Sequence, residues 1–216
     1  HNSSQKFFMQ MNYFNFDNGT IVMSADSSNA DVLSVQKKIN EIFYSLQGEG
    51  YHTGIPAIFV RFSGCNMKCS FCDTLHEDGI MMSDEEIISE VVKYPASMVV
   101  LNGGEPGLWI DESLVDALHN EGKYVCVETN GTCVLPGNVD WVTCSPKEGG
   151  EVRLNHIDEV KVVYVGQDVS VYLDLPARYY FIQPCSCSNT EAVIAYILKY
   201  PKWRLSLQTH KLLQIP

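Results

Sequence analysis

The stretch A-I-F-V-R-F-S-G-C-N-M-K-C-S-F-C-D-T (57–74) joins an apolar, β-rich run to a loop with three cysteines. Cys65, Cys69 and Cys72 lie within eight residues of one another. Zinc and iron–sulfur sites usually take four protein ligands, so three cysteines need an explanation. Either a fourth ligand lies elsewhere in the chain, or one coordination position is left open.

Similar apolar runs recur along the chain and predict a parallel sheet. Helical patterns lie between several of them: Ser83 to Glu86 reads as a capping box that opens a helix to about Lys93, and residues 111–120 and 189–200 show apolar residues at helical spacing. About six to seven mainly parallel strands with few helices predict an α/β fold, an open, partial β/α barrel rather than a closed eightfold one. The remaining predicted strands are 98–101, 124–127, 139–143, 159–165, 179–182 and 203–207.

Polar and glycine-rich segments follow these predicted strands. Ligands of parallel α/β sheets bind where the strands end at their carboxyl edge. We therefore expect an enzyme active site at this edge. The segments are Gly64-Cys65, N-G-G-E-P (102–106), E-T-N-G (128–131), S-P-K (145–147), Q-P (183–184) and Q-T-H (208–210).

Composition excludes several classes of protein. The 216 residues are 45% apolar and carry a net charge of −11, which argues against a protein that binds the nucleic-acid backbone through clustered Lys and Arg. No apolar run of about 18 residues predicts a membrane span, and the N-terminus does not have the pattern of a signal peptide. We expect a cytoplasmic protein.

The eight cysteines leave several interpretations open. Four disulfides would suit a small secreted protein, but the clustering of three cysteines suits metal ligation in a reducing compartment better. The spacing favours an iron–sulfur cluster. A zinc site with His76 as fourth ligand, or coincidence, stays an alternative, although Cys126 and Cys133 are wrongly spaced for a second half-site.

Residues 1–37 differ in amino-acid composition from the rest of the chain. They are polar and rich in Asn and Ser, and Asn18-Gly19 predicts a hairpin turn. Because the sequence starts at His1, we expect its first residues to be a remnant of processing or of an expression tag. We predict an N-terminal extension over 1–37 and one catalytic domain over 38–216.

The cysteine loop, with Phe71 just before its third cysteine, resembles the radical S-adenosylmethionine (SAM) enzymes, and Gly103-Gly104-Glu105-Pro106 is similar to that superfamily's glycine-rich motif. The resemblance implies a 4Fe-4S cluster with three cysteine ligands, whose open iron binds SAM. It implies no catalytic side chain beyond cluster and cofactor.

A closer resemblance extends over residues 38–216. The segments I-N-E-I-F-Y-S-L-Q-G-E-G (39–50), C-D-T (72–74) and L-S-L-Q-T-H-K (205–211) resemble the 7-carboxy-7-deazaguanine synthase family. That family forms 7-carboxy-7-deazaguanine from 6-carboxy-5,6,7,8-tetrahydropterin with loss of ammonia, toward queuosine. The resemblance implies SAM, Mg²⁺, a flavodoxin- or ferredoxin-type electron donor and a homodimer, with no nucleic-acid or membrane partner.

The resemblance also implies roles for individual residues. Those implied to bind the cluster are Cys65, Cys69 and Cys72, and Thr74 is implied to bind Mg²⁺. Those implied to contact the cofactor are Phe71, Asp73, Gly104, Glu105, Ser145, Pro146, Lys147, Gln183, Pro184, Cys185 and Ser186. Those implied to contact the substrate are Leu46, Gln47, Gly48, Glu49, Arg61, Asn102, His210 and Pro216, the last through its carboxylate.

Structural alternatives stand beside these roles. Arg61 could form an ion pair, Thr74 could cap a helix, the glycine after Gln47 could serve a simple turn, and Pro216 could be a frayed end. Asn102 stands where family members commonly have Thr. Cys185 and Cys187 have no metal-binding counterpart in the family, so we expect free thiols.

Another small radical SAM enzyme, such as a glycyl-radical activase, would share the cysteine and glycine motifs but should lack L-Q-G-E-G and Q-T-H-K. A zinc-stabilised binding module without catalysis is the alternative from a different class.

Overall fold

The computed structural model describes residues 35–72, 74 and 77–216. The predicted hairpin at Asn18-Gly19, nearly all of the predicted extension, Asp73 and the candidate zinc ligand His76 lie outside the described residues. None of the described helices is both long and apolar enough to cross a membrane.

The strands form one open sheet. Their order is β3-β1-β2-β4-β5-β6-β7-β8-β9. Strand β1 pairs antiparallel with β2 and β3, and every other neighbouring pair is parallel. The strands are β1 (Lys37–Leu46), β2 (Pro56–Phe62), β3 (Ile80–Met82), β4 (Met98–Gly103), β5 (Tyr124–Thr129), β6 (Trp141–Cys144), β7 (Ile157–Tyr164), β8 (Ala177–Pro184) and β9 (Arg204–Leu205).

The part of the chain that the structure describes has four α-helices: α1 (Asp84–Val91), α2 (Glu112–Asn120), α3 (Thr190–Lys199) and α4 (Thr209–Leu213). The predicted capping box is present, since the Ser83 side chain accepts from the Glu86 N–H while the Glu86 carboxylate accepts from the Ser83 N–H. Asp111 caps α2 in the same way through Leu114 N–H. Gly122, with φ +69°, follows the end of α2 in a left-handed conformation that favours glycine.

The seven predicted parallel strands are confirmed, as β2 and β4–β9. The open, partial barrel is also confirmed, because β3 and β9 form the two free edges of the sheet. Strands β1 and β3 were not predicted. β1 begins at Lys37, the last residue of the predicted extension, and its burial alternates irregularly, while β3 has only three residues.

The sheet has a core on each face. On one face, the buried side of α1 and α2 packs against Val60, Val99 and Val125, and α3 packs on Val160 and Ile182. The other core holds the aromatic and small side chains Phe59, Val100, Cys126 and Trp141. Because the parallel strands are covered on both sides, they read as continuous apolar runs, which is why they were predictable.

A buried cation ties the helices to β1. The Lys37 side chain is fully buried, and Nζ donates to Asp84 Oδ1 at 2.6 Å and to Asp111 Oδ2 at 3.1 Å. Burial alone would raise the pKa of Asp111, but hydrogen bonds from Leu114, Ser113 and Lys37 hold it below its ordinary value. Lys37 therefore stabilises the first turns of α1 and α2 together.

We expect Lys37→Met to lower the free energy of unfolding by about 2 kcal/mol at pH 7, because two partly buried carboxylates lose their cation. A carboxyl whose pKa is lowered by folding adds stability above its unfolded pKa and loses it as pH falls through its folded pKa. The cost should therefore shrink toward about pH 3. Anaerobic urea unfolding followed by circular dichroism measures both effects.

The matched control is Lys93→Met, which removes an exposed lysine that pairs with Glu90 on the surface of α1. Exposed pairs contribute little, so this variant should change stability by less than about 0.5 kcal/mol. Equal effects of the two substitutions would contradict the proposed role of Lys37.

Candidate active site

One cavity of about 420 Å³ lies at the carboxyl ends of the parallel strands. It gathers segments that are up to 170 residues apart in sequence, from the loop after β1 to the C-terminus. The predicted residues that line it are Leu46, Gln47, Gly48, Glu49, Arg61, Cys65, Cys69, Phe71, Cys72, Thr74, Asn102, Gly104, Ser145, Lys147, Gln183, Pro184, Cys185, Ser186, His210 and Pro216. Of the other predicted residues, Glu105 and Pro146 do not line the cavity, and Asp73 is not described.

The three clustered cysteines all face this cavity. The Met67 N–H donates to Cys65 Sγ at 3.4 Å, and the Asn130 side-chain amide lies 3.9 Å from the same sulfur. Burial raises the pKa of Cys65, the Met67 N–H lowers it, and Glu105 and the other two thiols raise it further. Thiols on one loop, with N–H groups directed at a sulfur, are a donor set that suits an iron–sulfur cluster.

The three thiols do not form a preassembled metal site in the structure. Within the described part of the chain, no three His, Cys, Asp or Glu side chains are grouped closely enough to hold a metal ion. All eight cysteines are described and all are free thiols, as expected for Cys185 and Cys187 and contrary to a disulfide scaffold. The cysteines are thus available as ligands.

The glycine-rich turn after β4 packs directly on the start of the cysteine loop. Gly104 N–H donates to the Phe62 carbonyl at 3.0 Å, and Glu105 N–H donates to the Gly64 carbonyl at 2.9 Å. A Cβ on Gly104 would overlap the Gly64 carbonyl. Only glycine allows this close approach of two backbones.

Glu105 supports the site through buried hydrogen bonds. Its side chain is fully buried and accepts from Thr129 Oγ1 at 2.6 Å, Asn130 N–H at 2.8 Å and Gly107 N–H at 2.8 Å. These bonds join the end of β4 to the end of β5. The structure thus gives the carboxylate a positioning function, and its contact with a cofactor stays a prediction.

Asn102, at the end of β4, presents an unpaired acceptor to the cavity. Its Oδ1 is buried and has no hydrogen-bond partner among the described residues. A buried acceptor left without a donor costs free energy. The expected substrate contact would supply the missing donor.

The loop after β1 brings Gln47, Gly48 and Glu49 into the cavity. Gln47 Nε2 donates to Glu128 Oε1 at 3.0 Å, and the Gly48 carbonyl accepts from Thr209 N–H at 2.9 Å. A Cβ on Gly48 would overlap the His210 ring. This glycine therefore serves close packing against the C-terminal segment rather than a simple turn.

Arg61 has a partner in the protein. Its guanidinium pairs with Glu41 and lies over the Phe43 ring, 5.1 Å from the ring centroid. The alternative interpretation as an ion pair is therefore present in the structure. Because Arg61 also lines the cavity, the ion pair does not exclude contact with a ligand.

Lys147 and Gln183 enter from the ends of β6 and β8. Lys147 Nζ donates to the carbonyl and hydroxyl oxygens of Ser145, both at 2.6 Å. Burial lowers the pKa of Lys147, although the thiol of Cys69 opposes this. Gln183 accepts from Ser206 at 2.8 Å, and after Pro184 the chain turns through Ser186, whose φ is +45°.

Thr74 and Pro216 line the cavity at its open side. No described helix begins at Thr74, and the first helix after it, α1, is capped by Ser83 instead, so the cap interpretation of Thr74 is not supported. The Ser45 hydroxyl donates to Pro216 O at 2.8 Å, so the last residue is hydrogen-bonded to β1.

The sequence reasoning gave no role to several residues that line the cavity. Glu128 stands at the end of β5 and Lys161 within β7, where they form an ion pair with N···O 3.3 Å. Lys161 is a charged residue inside an apolar strand, E-V-K-V (159–162), and this pattern could have identified it. Further polar residues of the lining without a predicted role include Thr129, Asn130, Gln208 and Lys211.

Comparison with known proteins identifies the family. The Radical SAM superfamily model matches residues 59–157. A 7-carboxy-7-deazaguanine synthase of Bacteroides thetaiotaomicron is 65% identical over 84% of this chain and 100% of its own length. One from Burkholderia multivorans is 37% identical over 82% of this chain and 98% of its own.

A solved structure also matches the fold of this chain. The crystal structure of QueE from Escherichia coli matches with a TM-score of 0.68 and 30% identity, over 80% of this chain and 93% of that one. This chain belongs to the 7-carboxy-7-deazaguanine synthase family, within the radical SAM superfamily.

Proposed function

We propose that this enzyme converts 6-carboxy-5,6,7,8-tetrahydropterin into 7-carboxy-7-deazaguanine with loss of ammonia, in the biosynthesis of queuosine and related 7-deazapurines. The observation that carries the proposal is that one cavity collects the cysteine loop, the glycine-rich turn and the loop of Gln47 to Glu49. The proposal includes a homodimer in the cytoplasm that takes electrons from a flavodoxin- or ferredoxin-type donor.

The cofactor end of the cavity lies beside Gly104. Cys65, Cys69 and Cys72 would hold a 4Fe-4S cluster with three thiolates. With SAM bound, the cluster would supply one-electron reductive chemistry for hydrogen abstraction from the substrate. Gly104, Lys147 and residues 183–186 would hold SAM, and the close packing of Gly104 on Gly64 keeps the glycine-rich turn beside the cysteine loop.

The substrate end is lined by the loop after β1 and by the C-terminal segment, which are in contact through Gly48 and Thr209. Gln47, Glu49 and Asn102 offer hydrogen-bonding groups suited to the edge of a pterin ring, and His210 and Pro216 also line the cavity. Arg61 is suited to the substrate carboxylate because a guanidinium can donate two parallel hydrogen bonds to it. The protein therefore binds and orients the substrate rather than providing a nucleophile.

Anaerobic reconstitution with iron and sulfide tests the function. We expect a brown protein that forms 7-carboxy-7-deazaguanine from the carboxytetrahydropterin when SAM, Mg²⁺ and a reductant are present, detected by mass spectrometry. Reductive cleavage of SAM without this product would contradict the substrate assignment. Zinc at full occupancy with no cluster would contradict the enzyme assignment.

Arg61→Ala should weaken substrate binding about 30-fold while the cluster still assembles, because a charge-assisted bidentate contact is lost. Substrate affinity is measured by calorimetry with SAM and no reductant, and cluster content by absorption. Glu41→Gln is the matched control, since it removes the partner of Arg61 within the protein but leaves the guanidinium. If both variants lose affinity equally, Arg61 acts only through its ion pair.

Thr74→Val should raise the Mg²⁺ concentration needed for half-maximal activity by about tenfold, because the isosteric side chain lacks the hydroxyl ligand. Thr74→Ser keeps the hydroxyl and should behave like the unaltered enzyme. An unchanged Mg²⁺ requirement in Thr74→Val would show that Thr74 is not a ligand.

A further inference from the structure

Lys161 is a buried cation placed between two acidic side chains from distant parts of the chain. Only 5% of its side chain is exposed, and Nζ lies 2.6 Å from Glu49 Oε2 and 3.3 Å from Glu128 Oε1. Glu49 belongs to the loop after β1, Glu128 is the second-to-last residue of β5, and Lys161 is in the middle of β7. The ammonium therefore links three elements across the cavity.

Each of the two carboxylates also accepts a hydrogen bond from an amide side chain. Gln208 Nε2 donates to Glu49 Oε1 at 3.0 Å, and Gln47 Nε2 donates to Glu128 Oε1 at 3.0 Å. Among the described residues, the contacts of Glu128 with Gln47 and Lys161 both use Oε1, so Oε2 is available to a ligand. Glu49 and Glu128 both line the cavity, so the network fixes two acceptors at its wall.

A second residue of β7 holds the same loop. Glu159, two positions before Lys161 on the same face, accepts from Tyr51 N–H at 2.8 Å and from Thr143 Oγ1 at 2.9 Å. A Cβ on Gly50 would overlap this carboxylate. β7 thus contacts the loop after β1 at two points. Glu159 binds the backbone at Tyr51, and Lys161 binds the side chain of Glu49.

The opposite charges of Lys161 and its carboxylate neighbours stabilise one another in a buried site. Burial alone would raise the pKa of Glu49, but Lys161 holds it below its ordinary value. Burial alone would lower the pKa of Lys161, but Glu128, Glu49 and Glu159 raise it. Without the ammonium, close carboxylates in a buried site would take up a proton.

We propose that Lys161 is a positioning residue that holds Glu49 and Glu128 in place as acceptors for the N–H groups of the substrate ring. This inference rests on the proposed function. The other charged groups that face the network are Glu159 on β7, Lys147 at the end of β6 and His210 in α4. Lys161 lowers the pKa of both Glu159 and Lys147, so these two groups also respond to its removal, and the Lys161→Arg variant is the control for that response.

The test compares Lys161→Met, Lys161→Arg and the matched surface control Lys199→Met in the reconstituted enzyme. Affinity for the carboxytetrahydropterin is measured by calorimetry between pH 6 and 8.5, with SAM and without reductant. We expect Lys161→Met to bind about 30-fold more weakly at pH 7, because charged acceptors become protonated or displaced. Lys199→Met should bind normally.

The pH profile separates positioning from simple structural support. Binding by the unaltered enzyme should change by less than about threefold over this range, since Lys161 keeps Glu49 ionised. In Lys161→Met, affinity should rise with pH as Glu49 loses the proton that its burial favours. Lys161→Arg keeps a cation and should restore the flat profile. A flat profile with full affinity in Lys161→Met would overturn the proposal.

A double-substitution cycle keeps the test decisive if Lys161→Met folds poorly. Glu49→Gln/Lys161→Met removes one cation and one anion together, so less like-charge repulsion remains. If Lys161 acts through Glu49, Lys161→Met should cost markedly less affinity in the Glu49→Gln background than alone. Additive losses would contradict a role through Glu49.

The failure of this inference can be told apart from failure of the proposed function. If the unaltered enzyme neither binds nor converts the carboxytetrahydropterin, the substrate assignment is wrong. If it does both while every Lys161 variant behaves like the control, only the positioning role is wrong.

Discussion

The backbone contact between the ends of β2 and β4 is the constraint on which the site depends. Gly104 and Glu105 donate to the carbonyl oxygens of Phe62 and Gly64, so the first residues of the cysteine loop are held against the glycine-rich turn. A side chain at Gly104 would occupy the space that this contact needs. Gly104 thus fixes the position of the first residues of the cysteine loop relative to the cavity. The hydrogen bonds of Glu105 to Thr129 and Asn130 connect β5 to the same arrangement.

The fold was predictable from sequence where burial is uniform. Strands β2 and β4–β8 are mostly buried, so their apolar runs are continuous, and the capping box at Ser83 marked the start of α1 correctly. β1 escaped prediction because charged, polar and aromatic residues are mixed along it and because it pairs antiparallel near an edge. β3 is too short to carry a pattern, and its pairing with β1 is set by tertiary structure alone.

Most of the site could be predicted because motif residues stand at strand ends, which parallel pairing brings to one edge. What the sequence could not give is which of them point into the cavity and which brace it. Glu105 sits inside the most recognisable motif, yet its carboxylate is turned away into buried hydrogen bonds. Lys161 sits in no motif and lies at the wall. Partners such as Glu49 and Lys161 are 112 residues apart, and only the folded chain brings them together.

The cations of the cavity are largely matched before any ligand binds. Arg61 pairs with Glu41, Lys161 lies between Glu49 and Glu128, and Lys147 donates to uncharged oxygens of Ser145. In a protein of net charge −11, the carboxylate of the proposed substrate would add a negative charge to a cavity in which Glu41, Glu49 and Glu128 already balance Arg61 and Lys161. The Mg²⁺ ion proposed at Thr74 would compensate this charge, because it binds through few protein ligands and accepts substrate oxygens. Charge balance within the cavity thus gives a physical reason to expect a metal in addition to the cluster.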